Sequence, residues 1–239
     1  MAQSKGTVAI EEAVLNPDGV EWYAKSAALY APGQNIREHE LTKRAIDIHD
    51  ERLARMDAAG VDYMLLSLTS PGPQAEADPG KALTLATAAN NWLAAQVKLN
   101  PKRFGALASL PMHDAAVATT ELKRAVTELG MFGAILNDYQ EVATPAGGDD
   151  RAYYDDPAYD PFWAAAEELG VPVYLHPRYP DLKDLGEGQK YGPNRRQLLG
   201  AGVQFHLDLS YHVYAICSSG VLDRFPGVQI VIGHLGEGY

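Results

Sequence analysis

One cysteine, Cys217, in 239 residues excludes an intrachain disulfide and fits a reducing compartment. Long apolar runs are also missing, so no segment can cross a bilayer as a helix. The first short run, Thr7-Val8-Ala9-Ile10, meets Glu11 and Glu12 where a secretion signal would need continuous hydrophobicity. A cytoplasmic chain with no membrane partner is therefore expected. There is no Lys/Arg-rich block either: 20 basic residues stand against 31 acidic ones, a net charge of −11. Such a chain has no general electrostatic route onto nucleic-acid phosphates, and that class is excluded. Small anions need a local cation or metal to overcome the overall repulsion. No repeat, low-complexity tract or linker divides the sequence, so residues 1–239 are read as a single domain.

What is present is alternation. Short β-prone runs recur at Thr7–Ile10, Tyr63–Leu68, Phe104–Leu110, Gly133–Asn137, Pro172–His176 and Gln229–His234. Helical patterns lie between most of them. One runs from Leu41 to Gly60, with Ile46, His49, Leu53 and Met56 on one stripe. Others run from Asp78 to Asn100, through Ala118 to Leu129, from Ala158 to Leu169, and from Gln204 to Val221. Pro101, Gly130 and Gly170 follow three of them as stop signals. Two stretches, Asn16–Arg37 and Asp138–Asp156, read as long loops. Strand–helix alternation of this kind predicts an α/β fold with parallel strands. The absence of a glycine-rich fingerprint after the first strand favours a (β/α)8 TIM-like barrel over a dinucleotide fold. Strands start about every 44 residues, so eight units would need roughly 350. The expectation is an incomplete barrel holding the first six βα units.

The polar residues at the strand ends carry the chemistry. Glu11 follows the first strand, Asn137 ends the fourth, His176 the fifth and His234 the sixth. In a barrel all fall on the C-terminal rim, where this fold places its active site. Strict alternation puts Val8 and Ile10 on the helix-facing side and Glu11 on the inner side, with Glu12 pointing away. A carboxylate and an imidazole converging there could share a divalent cation. Each residue also has an ordinary reading: a Glu at a strand end as a solvated loop residue, His176 and His234 as core histidines with one hydrogen bond. Their placement on one rim is what raises all three. His39, His206 and His212 lack it. His49 is read as structural, and His113 lies just past the third strand near the rim. Cys217 has no basic flank and is read as a buried thiol.

Taken together, Val8-Ala9-Ile10-Glu11-Glu12, Leu66-Ser67-Leu68-Thr69-Ser70-Pro71-Gly72, Arg103-Phe104-Gly105-Ala106, Gly133-Ala134-Ile135-Leu136-Asn137-Asp138, His176-Pro177-Arg178 and Gly233-His234-Leu235-Gly236-Glu237 resemble the amidohydrolase-related decarboxylases. Within them the chain is most similar to the 2,3-dihydroxybenzoate, salicylate and γ-resorcylate decarboxylases. The resemblance implies a metal-dependent carboxy-lyase acting on a small aromatic carboxylate, as a homodimer or homotetramer. It implies Glu11 and His176 as metal ligands, His234 and Glu237 as catalytic residues, and Asn137 and Arg178 near the substrate, although Arg178 could equally be a surface arginine. Many relatives carry a histidine two residues after the first glutamate. Ala13 stands here instead, which points toward a 2,3-dihydroxybenzoate or salicylate type of substrate. A last aspartate ligand, expected after an eighth strand, would lie beyond Tyr239.

The residue types suit that chemistry. Loss of CO2 from an aromatic ring leaves negative charge on carbon unless a proton arrives there. A divalent metal (Zn, Mn or Mg) could chelate carboxylate and ortho-oxygen, and His234, oriented by Glu237, could assist proton transfer. A metal-dependent hydrolase or hydratase on the same scaffold, and an inactive fragment, are the alternatives.

Overall fold

Each of the six apolar runs becomes a parallel strand in the computed structural model, which describes residues 6–27, 33, 35–145 and 149–234. The chain opens with β1 (Val8–Val14) and a short helix, α1 (Val20–Ala27). Next come α2 (Glu40–Ile46) and α3 (Glu51–Ala59), then β2 (Tyr63–Leu68). The long α4 (Pro79–Leu99) precedes a strand in two pieces, β3 (Phe104–Ala106) and β4 (Ala108–Ser109), after which α5 (Ala115–Thr127) leads to β5 (Ala134–Asn137). A hairpin of β6 (Gln140–Ala143) and β7 (Asp149–Ala152) precedes α6 (Asp160–Leu169) and β8 (Pro172–His176). Finally α7 (Gln204–Ser218) and α8 (Val221–Arg224) lead into β9 (Gln229–Ile232).

The parallel strands are ordered β1-β2-β3 and β4-β5-β8-β9. Leu107 joins the two sets: its neighbours Ala106 and Ala108 pair outward to Leu66 and Ala134 respectively. Neighbours in space are thus successive strands in sequence, the order of a barrel wall. Among the described residues no helix is long and apolar enough to cross a membrane.

Caps fix the helix ends, at Asp78, Gly60 and Gly170 where sequence signals stood and at Asp114 where none was read. The carboxylate of Asp78 accepts from the Lys81 amide, and that of Asp114 from the amides of Ala116 and Val117. Gly60 and Gly170 close α3 and α6 at φ 68° and 64°, a left-handed backbone that glycine adopts without a Cβ penalty. The helix read from Leu41 to Gly60 is broken, however. Asp47 turns extended after α2, and its side chain accepts from the amides of Asp50 and Arg52. That local alternative to the helix ladder starts α3 separately. His49, in the break, bonds Gln96 and meets the Phe104 ring edge-on. The two stretches read as loops contain α1 and the β6–β7 hairpin.

The larger core lies between strands and helices and includes Leu66, Phe104, Leu122, Leu136, Trp163 and Leu175, all essentially buried. Burying such side chains contributes roughly 1.5–3 kcal/mol each before chain entropy is set against it. A buried polar brace runs through it. The Asn90 side chain donates to the Ser109 carbonyl and to Glu121, and accepts from the Ser109 amide. Arg124 grips the same Glu121 with two nitrogens. A smaller cluster of Leu107, Ile135 and Tyr174, with Val231 against it, lies on the opposite side of these strands and forms the inner floor.

β1 departs from strict alternation. Ala9 packs on the sheet–helix core, while Val8 and Ile10 are exposed, the reverse of the expected phase. The register then slips: Ala9 pairs with Met64 but Glu12 with Leu66, so Ile10 and Glu11 together face Leu65. This bulge restores Glu11 to the inner face, a use of bulges common beside functional sites. Glu12 points away and pairs with Arg52. Cys217 is exposed rather than buried. On α7 it is Leu209, His212 and Ile216 that turn inward, and the residue after Ile216 falls on the outer face.

Candidate metal centre

Three strand-end residues meet on the rim. The Glu11 Oε1 atom lies 2.7 Å from His234 Nε2 and 3.3 Å from His176 Nε2. One donor atom from each of the three lies within 4.8 Å of the others. β8 supplies His176 as its last residue, in register with Asn137 of β5. His234 follows β9 after Gly233, whose amide still pairs with the Leu175 carbonyl. It adopts φ 54°, uncommon for a residue with a Cβ and a kind of strain concentrated at functional sites. The two imidazoles stand nearly perpendicular, with centroids 5.0 Å apart, and Phe205 meets the His234 ring edge-on.

This donor set fits a divalent metal. His176 Nδ1 donates to the Pro177 carbonyl at 2.5 Å, so Nε2 is the nitrogen that faces Glu11, donating to it while protonated and able to ligate once that proton is lost. A ligating histidine is oriented in just this manner. Burial would raise the Glu11 carboxyl, but hydrogen bonds from His176 and Tyr174 and the charge of both imidazoles outweigh it, lowering the pKa to about 2. The carboxylate is therefore ionised and ready to ligate. A carboxylate oxygen with an imidazole nitrogen beside it suits zinc or manganese. Ala13 contributes no ligand atom.

The other expected residues separate. Asn137 is buried: its amide N–H and side-chain Nδ2 donate to Gln74 Oε1 and the Pro71 carbonyl at 2.7 and 2.9 Å. Its Oδ1 is buried with no hydrogen-bond partner. Arg178 is not at the surface. It is 3% exposed, donates to the carbonyls of Gln74 and Tyr139, pairs with Glu141, and stacks 4.1 Å from the Tyr139 ring centroid. Glu237 lies outside the described residues. His212 is fully buried away from the centre, accepting from the Tyr154 amide and donating to Asp138. His113 contacts the Ala77 carbonyl and lines a separate concavity of about 920 Å³. The Asp114 and Asp156 carboxylates there are occupied capping helical turns.

Two residues of the centre were not anticipated from sequence. Tyr174 lies two positions before His176, hence on the same strand face, and its hydroxyl donates to Glu11 Oε2. Alternation applied backward from His176 would have found it. Phe205 carries no comparable signal, because it comes from α7.

Comparison with known proteins agrees with this geometry. The family described as Amidohydrolase matches residues 27–239. A γ-resorcylate decarboxylase of Rhodococcus jostii is 39% identical over 98% of this chain and 68% of its own length. The crystal structure of a 2,6-dihydroxybenzoate decarboxylase complexed with 2,6-dihydroxybenzoate superposes with a TM-score of 0.86, at 39% identity over 98% of this chain and 68% of that one. A dihydroxybenzoic acid decarboxylase from a Polaromonas species, solved with manganese and 2-nitroresorcinol, gives 0.86 at 36% identity, covering 98% and 67%. The fold is thus of the TIM type, α/β. The chain belongs to the amidohydrolase family, within its carboxy-lyases, and its converging Glu11, His176 and His234 are consistent with a divalent-metal cofactor.

Proposed function

We propose that the chain catalyses non-oxidative decarboxylation of an ortho-hydroxybenzoate, with Glu11 and His176 as metal ligands. The observation that carries this reading is the convergence of Glu11, His176 and His234 at the strand ends. When bound there, a divalent metal supplies Lewis-acid charge that orients and neutralises the anionic substrate.

The chain's own groups do the rest. His234, beside both ligands, delivers a proton from Nε2 to the ring carbon as the C–C bond to the carboxylate breaks and CO2 leaves. Its contact with Phe205 holds the imidazole plane, and Glu237 keeps the orienting role that the resemblance implies. The Oδ1 atom of Asn137 accepts from a ring hydroxyl of the substrate, satisfying a buried acceptor that otherwise has none. Arg178 acts at one remove, its guanidinium holding the Gln74 carbonyl and so the loop on which Asn137 leans.

The similarity to proteins named for γ-resorcylate and 2,6-dihydroxybenzoate favours that acid over the 2,3-dihydroxybenzoate or salicylate type that Ala13 suggests. Incubation of the manganese-loaded protein with all three acids and with benzoate, measuring released CO2, tests the proposal. Release is expected from ortho-hydroxylated acids, fastest from 2,6-dihydroxybenzoate, and not from benzoate. No release from any of them, with turnover of a lactone, would replace it by the hydrolase alternative.

A further inference from the structure

The two oxygens of Glu11 face different chemistry. Oε1 looks toward the imidazoles of His176 and His234. Oε2 receives the phenolic hydrogen of Tyr174. That phenol rises from the inner floor, where the ring packs with Leu107 and Ile135 and is 4% exposed. A hydroxyl at the edge of an apolar layer needs a partner, and a carboxylate is the strongest acceptor within its reach.

Space for the phenol is provided from β9. A Cβ placed on Gly233 would sit 2.7 Å from the Tyr174 hydroxyl oxygen and 2.8 Å from a ring carbon. Any larger residue beside His234 would push the phenol off its path to Glu11. The absence of a side chain at 233 and the tyrosine at 174 are thus two parts of one arrangement. It links β9, β8 and β1 beneath the centre.

We propose that Tyr174 is a positioning residue for the metal. By holding Oε2, it stops the carboxylate from rotating and presents Glu11 through Oε1 alone, beside the two imidazoles. The inference rests on the metal centre but not on the identity of the aromatic acid. Partners that orient a ligand in this manner typically affect metal affinity about 10–100-fold.

The test is a titration of metal-free protein with Mn2+, reading free Mn2+ by electron paramagnetic resonance, without substrate. Tyr174→Phe removes only the hydroxyl and keeps the ring in the floor; Gly233→Ala keeps the hydroxyl and displaces it. Both variants are expected to bind Mn2+ about 10–100-fold more weakly, with metal-free Tyr174→Phe melting within a few degrees of the parent. Unchanged Mn2+ affinity in Tyr174→Phe overturns the proposal, whatever Gly233→Ala does. A large loss of metal-free stability with unaltered affinity would reduce Tyr174 to a packing residue. Because no acid enters the measurement, its failure is distinct from failure of the decarboxylase reading.

Discussion

The carboxylate of Glu11 lies 2.7 Å from Nε2 of His234, although one residue belongs to the first strand of the sheet and the other follows the last. Neither has this neighbour through local structure. The contact exists because the strands between them curve the rim round, and because a bulge turns Glu11 inward.

Replacing the acid at this junction removes the only anionic donor of the described cluster. Glu11→Gln keeps size and hydrogen-bonding reach but not charge. Mn2+ affinity is expected to fall by more than about a hundredfold, exceeding the effect of losing a group that merely orients a ligand. Metal analysis after gel filtration in metal-free buffer should find the parent near one ion per chain and the variant essentially empty. An equal metal content in both would remove Glu11 from the ligand set.

Metal removal should be felt in stability as well as activity. A ligand that binds only the folded state, at a free concentration about a hundred times its Kd, adds about 2.7 kcal/mol. For a chain of this size that corresponds to a melting temperature roughly 5–10 °C higher. Calorimetry of chelator-treated protein with and without Mn2+ reads the shift. Mg2+ at equal concentration should give a smaller one, because imidazole ligands favour zinc and manganese over it.

Asn137→Ala deletes the buried acceptor proposed to meet a ring hydroxyl. An uncharged hydrogen bond contributes about 0.5–1.5 kcal/mol, so KM for a dihydroxybenzoate should rise between twofold and about tenfold. Steady-state assays on 2,6-dihydroxybenzoate and salicylate should show the preference between them shrinking. A KM that rises equally for both acids would point to a general loss of packing around Gln74 instead.

Arg178→Met tests the scaffold. The variant leaves the Glu141 carboxylate and two buried carbonyls without their cation. Removing one partner of a buried pair costs about 3–5 kcal/mol. Denaturant unfolding should register that loss, while Mn2+ stoichiometry in the folded fraction stays unchanged. Full stability with abolished substrate binding would return Arg178 to the substrate pocket.

What the sequence determined by itself was everything written in short-range pattern: six β-prone runs, the cap Asp78, the stops at Gly60 and Gly170, and polar residues at strand ends. Residues a few positions apart decide those features, so chain order is sufficient to see them. Tertiary structure alone decided the bulge between Ala9 and Glu12, the break at Asp47, the burial of Arg178, the exposure of Cys217 and the reach of Tyr174 to Glu11. Each depends on which surface arrives from a distant part of the chain and on how much room it leaves. Alternation assigned Glu11 to the inner face by counting in the wrong phase, and the inserted residue made that assignment true. No periodicity reveals such an insertion, because register is a relation between two strands rather than a property of one.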